Sequence, residues 1–119
     1  MDFESVTLEE LESKSESELD QANFGIVGSN KENHLCTIYN KWETDLSGLS
    51  KDFVLGKNFY VDVAPCTNNF LVYNRYETEL NLDEVIDYVF TYKLSPTKVR
   101  IRMLKSQDVA TEYLLVTMK

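Results

Sequence analysis

The chain is short of most residues from which chemistry is usually built. It has two cysteines and one histidine in 119 residues. There is no Cys-x-x-Cys, no His-x-x-x-His and no phosphate-cradling glycine loop, so no metal is expected. No apolar run approaches the roughly 18 residues needed to cross a bilayer, and the acidic start lacks the basic region of a signal peptide. A cytoplasmic protein with no membrane contact is the expectation. In a reducing compartment Cys36 and Cys66 are expected to stay unpaired. Basic charge is also scarce: 12 Lys and Arg stand against 20 Asp and Glu, a net of −8, which argues against nucleic acid as a ligand. Repeats, linkers and low-complexity tracts are missing.

What is present suffices for one domain with its own core, since 43% of residues are hydrophobic. The acid excess is local. In the first 20 residues Asp2, Glu4, Glu9, Glu10, Glu12, Glu16, Glu18 and Asp20 face Lys14 alone, a net of −7 out of the total of −8. Thr7-Leu8-Glu9-Glu10 fits a capping box, and Leu8, Leu11 and Leu19 give a thin apolar stripe. Three leucines bury little area. Residues 1–22 are therefore expected to form an acidic helical cap that docks weakly on a core of residues 23–119.

Within that core, Phe24–Val27 and Leu35–Tyr39 read as a hairpin around a polar turn. Asn40 is a good N-cap for a helical turn with Trp42, Glu43, Leu46 and Leu49, and Ser50 caps another that ends at Gly56. Asn68–Leu80 reads as a longer helix. Three strand-like runs follow, Val85–Leu94, Thr97–Leu104 and Ala110–Met118. Turns at Ser95-Pro96-Thr97 and Ser106-Gln107-Asp108 make them antiparallel. The order implies an α+β fold: a five-stranded antiparallel sheet with short helices on one face.

The stretch from Gly56 to Thr67 carries the question of function. It is aromatic and nearly uncharged, and it ends by presenting Cys66 directly after Pro65, where a new turn begins. The residues alone leave Cys66 open between packing and chemistry. Cys36 alternates within a strand and reads as structural. His34, in a polar turn, is expected to be a solvated loop residue. It has no acidic orienter at an interpretable spacing, so a thiol enzyme built on Cys66 would lack its base. Tyr39, Glu43 and Ser47 follow one another at intervals of four, so their side chains can share one face.

Asn58-Phe59 through Asp62-Val63-Ala64-Pro65-Cys66-Thr67 closely resembles the chromophore-attachment stretch of the photoactive yellow protein family. Tyr39-Asn40 with Glu43 agrees with that family. So does Phe90-x-Tyr92-x-x-Ser95-Pro96-Thr97-Lys98-Val99. The resemblance runs collinearly from about Phe24 to the C-terminus and thins over residues 1–20.

The resemblance implies a PAS-fold blue-light photoreceptor, not an enzyme, with p-coumaric acid (4-hydroxycinnamic acid) held as a thioester. By position, Cys66 is the attachment site. Tyr39 and Glu43 donate to the phenolate oxygen, and Ser47 stands where a threonine usually supports the tyrosine. Phe59, Val63, Ala64, Thr67, Phe90 and Leu49 wall the pocket. Such donors suit the chemistry, because a buried phenolate persists only when strong donors share its charge. Glu43 donates only if protonated, and burial beside an anion favours that form. Light-driven isomerisation is then expected to draw the proton from Glu43 and to loosen the N-terminal cap for a downstream signalling partner, the protein being a monomer or weak dimer.

Three departures from the family stand out. Leu49 replaces an arginine that screens the phenol end, so closure must rely on packing. The segment between Cys66 and Val85 is about three residues shorter, and the Gly28–Leu35 turn about one longer. The competing reading is a chromophore-free PAS-like ligand-binding or interaction module. Retention of Tyr39, Glu43 and Cys66 together favours the photoreceptor.

Overall fold

A computed structural model describes residues 1–91 and 96–119. Five strands form one antiparallel sheet: β1 (Gly25–Asn30), β2 (Cys36–Tyr39), β3 (Leu82–Phe90), β4 (Thr97–Lys105) and β5 (Thr111–Met118). Their order across the sheet is β2-β1-β5-β4-β3, so the first hairpin lies beside the last strand. The end of the strand expected to reach Leu94, and the Ser95 part of the turn, lie outside the described residues.

Strand alternation sends side chains to two faces, and both are covered. On one face Val27, Val99, Ile101, Met103, Leu114 and Val116 join Tyr39, Val54, Phe59, Tyr60 and Phe90 in a single apolar cluster. The connection between β2 and β3 packs there. It holds α3 (Lys41–Ser47), α4 (Lys51–Val54), a π-turn (Phe59–Val63), a 3-10 turn (Pro65–Thr67) and α5 (Tyr73–Thr78). Asn40 and Ser50 cap α3 and α4 as their side chains predict, and Gly48, at φ 75°, ends α3 in the left-handed conformation that favours glycine.

On the other face lies the N-terminal segment, with α1 (Leu8–Ser13) and α2 (Glu16–Asp20). Here the expected helices on one face only, and the weak docking, are corrected. Phe3 and Val6 are buried beside Leu11 and Leu19, against Phe24, Ile26, Leu104, Tyr113 and Leu115. Each such side chain is worth roughly 1.5–3 kcal/mol before the entropy of ordering it. Buried Arg102 donates from Nη1 to the carbonyls of Phe3 (3.1 Å) and Val6 (2.7 Å) while its fork grips Asp83 at 2.9 and 3.0 Å. Lys51 reaches Asp20 and Glu16 at 2.7 and 2.9 Å. The acidic charge of the segment is thus partly spent on its own docking.

The helix expected over Asn68–Leu80 is also shorter, because the Asn69 side chain accepts from the Leu71 and Val72 N–H groups at 3.0 and 3.1 Å. That local turn competes with helix, which starts only at Tyr73. Among the described residues, no helix is long and apolar enough to cross a membrane.

Candidate functional site

The apolar cluster under the sheet collects the residues singled out above. Tyr39, Phe59, Val63, Ala64 and Phe90 are buried in it, and Cys66 and Leu49 pack against it partly exposed. Thr67, Ser47 and Glu43 are buried polar residues, and Glu43 is 0% exposed.

Tyr39 ends β2, and the next residue, Asn40, opens α3. The Asn40 Oδ1 accepts from the Ile26 N–H at 2.9 Å and the Glu43 N–H at 3.3 Å, which fixes the helix start against β1. One turn into α3 sits Glu43, facing the core. Its carboxyl packs onto the backbone of Gly25: a Cβ there would lie 2.2 Å from Glu43 Oε1 and 2.9 Å from its Cδ. Any side chain at position 25 would take the space of the carboxyl. Ser47, one more turn along, accepts from the Tyr39 hydroxyl at 2.9 Å and from the Leu49 N–H at 3.1 Å. Tyr39 and Ser47, eight positions apart across the strand-to-helix junction, thus meet on one face.

Cys66 is presented by a differently built segment. The Asn58 side chain caps the π-turn, accepting from Tyr60 and Val61 N–H groups at 3.0 and 3.2 Å. Such turns are uncommon and cluster at functional sites. Thr67 then closes the 3-10 turn, its hydroxyl and N–H both donating to the Ala64 carbonyl at 2.6 and 2.9 Å. Tyr88 from β3 and Asn69 both donate to the Cys66 carbonyl, at 2.6 and 3.1 Å. The Cys66 carbonyl is therefore held by two donors while its side chain stays half-buried.

The two cysteines differ sharply, and both are free. Cys36 is buried, and its thiol is pushed up to about 12 by that burial, with Glu43 adding to it; its Sγ donates to the Ile38 carbonyl at 3.3 Å. It is an inert, neutral thiol at physiological pH.

His34 corrects the expectation of a solvated loop residue. It is 5% exposed at a φ of 60°, and its Nδ1 lies 2.5 Å from Oε1 of Glu112, 78 positions away on β5. Sequence reasoning also missed Gly25, Asn69 and Tyr88. Tyr88 carried a signal: it alternates with Phe90 on the same face of β3. Asn69 and Gly25 carried none, since their roles depend on what packs against them.

The donor set suits a long ligand with an anionic oxygen at one end and an acyl group at the other. Two hydroxyls and a buried carboxyl lie in the cluster beside α3, and a thiol borders the same cluster on the 3-10 turn.

Known proteins resemble the chain in sequence and in fold. No protein-family model matches the chain. It is 34% identical over 99 residues to photoactive yellow protein of Halochromatium salexigens, covering 81% of this chain and 78% of that one. With the protein of the same name from Rhodothalassium salexigens it shares 33% over 94 residues, covering 76% and 74%. The photoactive yellow protein domain of the sensor histidine kinase Ppr from Rhodospirillum centenum superposes with a TM-score of 0.81 at 29% identity, over 89% of this chain and 95% of that one. The PAS domain of an HTR-like protein from Haloarcula marismortui shares the fold at a TM-score of 0.70 and 13% identity, over 94% and 100% of the two chains.

Proposed function

The chain belongs to the photoactive yellow protein family, and from that premise we propose that it senses blue light through p-coumaric acid tethered to Cys66 as a thioester. The observation that carries this reading is the fully buried Glu43 carboxyl, in the core with the Tyr39–Ser47 hydroxyl pair and a half-buried thiol at its border. When bound, the group supplies absorption of visible light and a double bond that isomerises.

The chain's own residues do the rest. Cys66 is the tether, because Cys36 is sealed in the core as a neutral thiol. Phe59, Val63, Ala64, Thr67, Phe90 and Leu49 exclude water, so polar contacts inside are strong. At the start of a helical turn the first N–H groups have no acceptor within the turn, which leaves the Cys66 amide suited to an acyl oxygen. Tyr39 and Ser47 can reverse their hydrogen bond: facing an anion, Ser47 donates to Tyr39 and Tyr39 donates onward.

Glu43 is the proton store. A carboxyl buried this deeply favours its neutral form, and its loss of a proton would leave a charge in apolar surroundings. Such a charge costs several kcal/mol, comparable to the stability of a whole domain. Local loosening is the expected relief. Asn40 offers the route, because its Nδ2 donates to the carbonyls of Leu19 and Phe24 at 3.0 Å each while its Oδ1 holds α3. Movement of α3 therefore pulls on the cap, residues 1–22, which would loosen from the core of residues 23–119 and be read by a signalling partner. No turnover is involved.

The experiment is acylation of the unloaded protein with activated p-coumaric acid, followed by intact mass. One p-coumaroyl group should add to the native chain and to Cys36→Ser, and none to Cys66→Ser. Acylation that survives loss of Cys66 would contradict the reading.

A further inference from the structure

On the same sheet face, away from the Tyr39–Ser47 pair, lies a second set of buried ionisable groups. His34 sits in the turn between β1 and β2, held there by its N–H to the Asn30 carbonyl at 2.7 Å. Its Nδ1 lies 2.5 Å from Oε1 of Glu112 on β5, and its Nε2 lies 3.3 Å from Oε1 of Glu77 on α5. Glu112 is 1% exposed, and its second oxygen, Oε2, has no hydrogen-bond partner among the described residues. Glu77 is largely open to solvent, and the Tyr73 hydroxyl donates to the same Glu77 oxygen at 2.5 Å. The rings of Tyr60 and Tyr73 stand edge-on to the imidazole at 5.7 and 5.1 Å, sealing it.

Proton counting constrains this trio. Each contact of the imidazole to a carboxyl needs one hydrogen between the two atoms, so both contacts together need two mobile protons. With Glu77 ionised, two arrangements supply them. Either the imidazole carries both protons between two carboxylates, or Glu112 carries one as a carboxylic acid and Nε2 donates the other to Glu77. The second arrangement leaves the buried pair neutral, and the partnerless Oε2 becomes an uncharged carbonyl, which is cheaper to bury. Removing one proton leaves a single hydrogen for two contacts, so one must open. Glu77, with water at hand, is the one that lets go.

We propose that His34, Glu112 and Glu77 form a proton-binding latch, closed when it holds two protons and open at α5 when it holds one. Groups facing it are Tyr60 from the π-turn, Tyr73 and Tyr76 from α5, Lys105 from β4 and Cys36 from β2. Burial holds Tyr60 and Tyr76 neutral and pushes Cys36 up to about 12, so none of these three titrates near neutrality. Tyr73, pushed up to about 12 chiefly by its bond to Glu77, stays neutral as well. Lys105 donates to the Tyr76 carbonyl. Burial is also the largest influence on Glu112, which it pushes up to about 7, against the lesser opposing pull of His34. Glu77 moves the other way, lowered first by the Tyr73 hydroxyl, so it stays ionised.

The sign follows. A folded-state value for Glu112 above its ordinary 4.5 means that the folded chain binds this proton more tightly than the unfolded one. The latch stabilises fully below about 4.5, and that contribution fades as pH rises through about 7. What opens is α5, whose first turn is tied through Asn69 to the Cys66 carbonyl.

The unloaded chain carries the test, so the outcome is independent of any chromophore. The urea unfolding equilibrium of the native chain should shift towards unfolded between pH 5 and 8, by up to about tenfold per pH unit in the linkage limit of one proton. In Glu112→Gln, which keeps the shape and always carries the N–H, this part of the pH dependence should vanish. Glu77→Gln, at a largely exposed position, should retain it. An identical profile in native chain and Glu112→Gln would overturn the latch. Should Glu112→Gln fail to fold, the native chain decides alone. His34 is its single histidine, so imidazole-15N labelling gives one Nδ1 and one Nε2 signal. A concerted change of both between pH 5 and 8, with loss of amide protection confined to α5, supports the latch. Signals unchanged from pH 5 to 9, or a change without any effect on α5, would refute it.

Discussion

The Asn40 side-chain amide donates to the Leu19 carbonyl at 3.0 Å, and so the helix that carries Glu43 and the segment that covers the opposite sheet face share one residue. Asn40→Ala would remove an N-cap worth about 1 kcal/mol and strand the Ile26 N–H and the Phe24 carbonyl, each at about 1–3 kcal/mol if left dry, while the Leu19 carbonyl keeps the Ala22 N–H. Urea unfolding should show a loss of about 3 kcal/mol or more. Limited proteolysis should cut first within residues 14–22. Equal protection of that segment in both proteins would mean the link is not what holds it.

Gly25→Ala addresses the seat of Glu43. The new methyl meets Oε1 at 2.2 Å, so the carboxyl must move. Overpacking of this kind costs typically 1–3 kcal/mol. In the loaded protein the visible band should shift as well, because the proton store would face the phenolic end differently. An unshifted band would show that Glu43 does not set the colour.

Tyr88 and Asn69 act on one oxygen, the Cys66 carbonyl, and on each other at 2.6 Å. Tyr88→Phe keeps the ring packed on Phe90 and should cost about 1 kcal/mol. Asn69→Ala should cost somewhat more, since the Leu71 and Val72 N–H groups lose their acceptor too. The double variant should fall short of the sum, as expected for residues in one network. Strict additivity in a double-mutant cycle would separate them.

Thiol labelling separates the two cysteines. With Cys36 pushed up to about 12, its reactive thiolate is scarce at neutral and mildly basic pH. Alkylation of the native chain at pH 8 should modify Cys66 alone, and both residues in urea. Fast labelling of Cys36 in the folded protein would contradict its burial.

What could be read from the chain was whatever depends on near neighbours. Strand alternation, the Asn40 and Ser50 caps, and the turn signals yielded all five strands and the positions of α3 and α4. Tyr39 and Ser47 met as their spacing predicts. What escaped depends on distant partners. His34 looked solvated because the carboxyl group that claims it comes from the last strand. Phe3 and Val6 have no helical period; they are buried because the sheet has a second face to cover. The helix over Asn68–Leu80 failed at its start because one asparagine side chain took the N–H groups that helix would have left free. Leu49, which marked a departure from the family, packs against the same cluster as Cys66, as an apolar side chain at that position implies.

The most direct test of the light-sensing account is visible absorbance of the p-coumaroyl-loaded protein before, during and after blue illumination. The account predicts a visible band that bleaches in the light and returns in the dark, with return altered in Glu43→Gln. A loaded protein whose band is unmoved by light would contradict it.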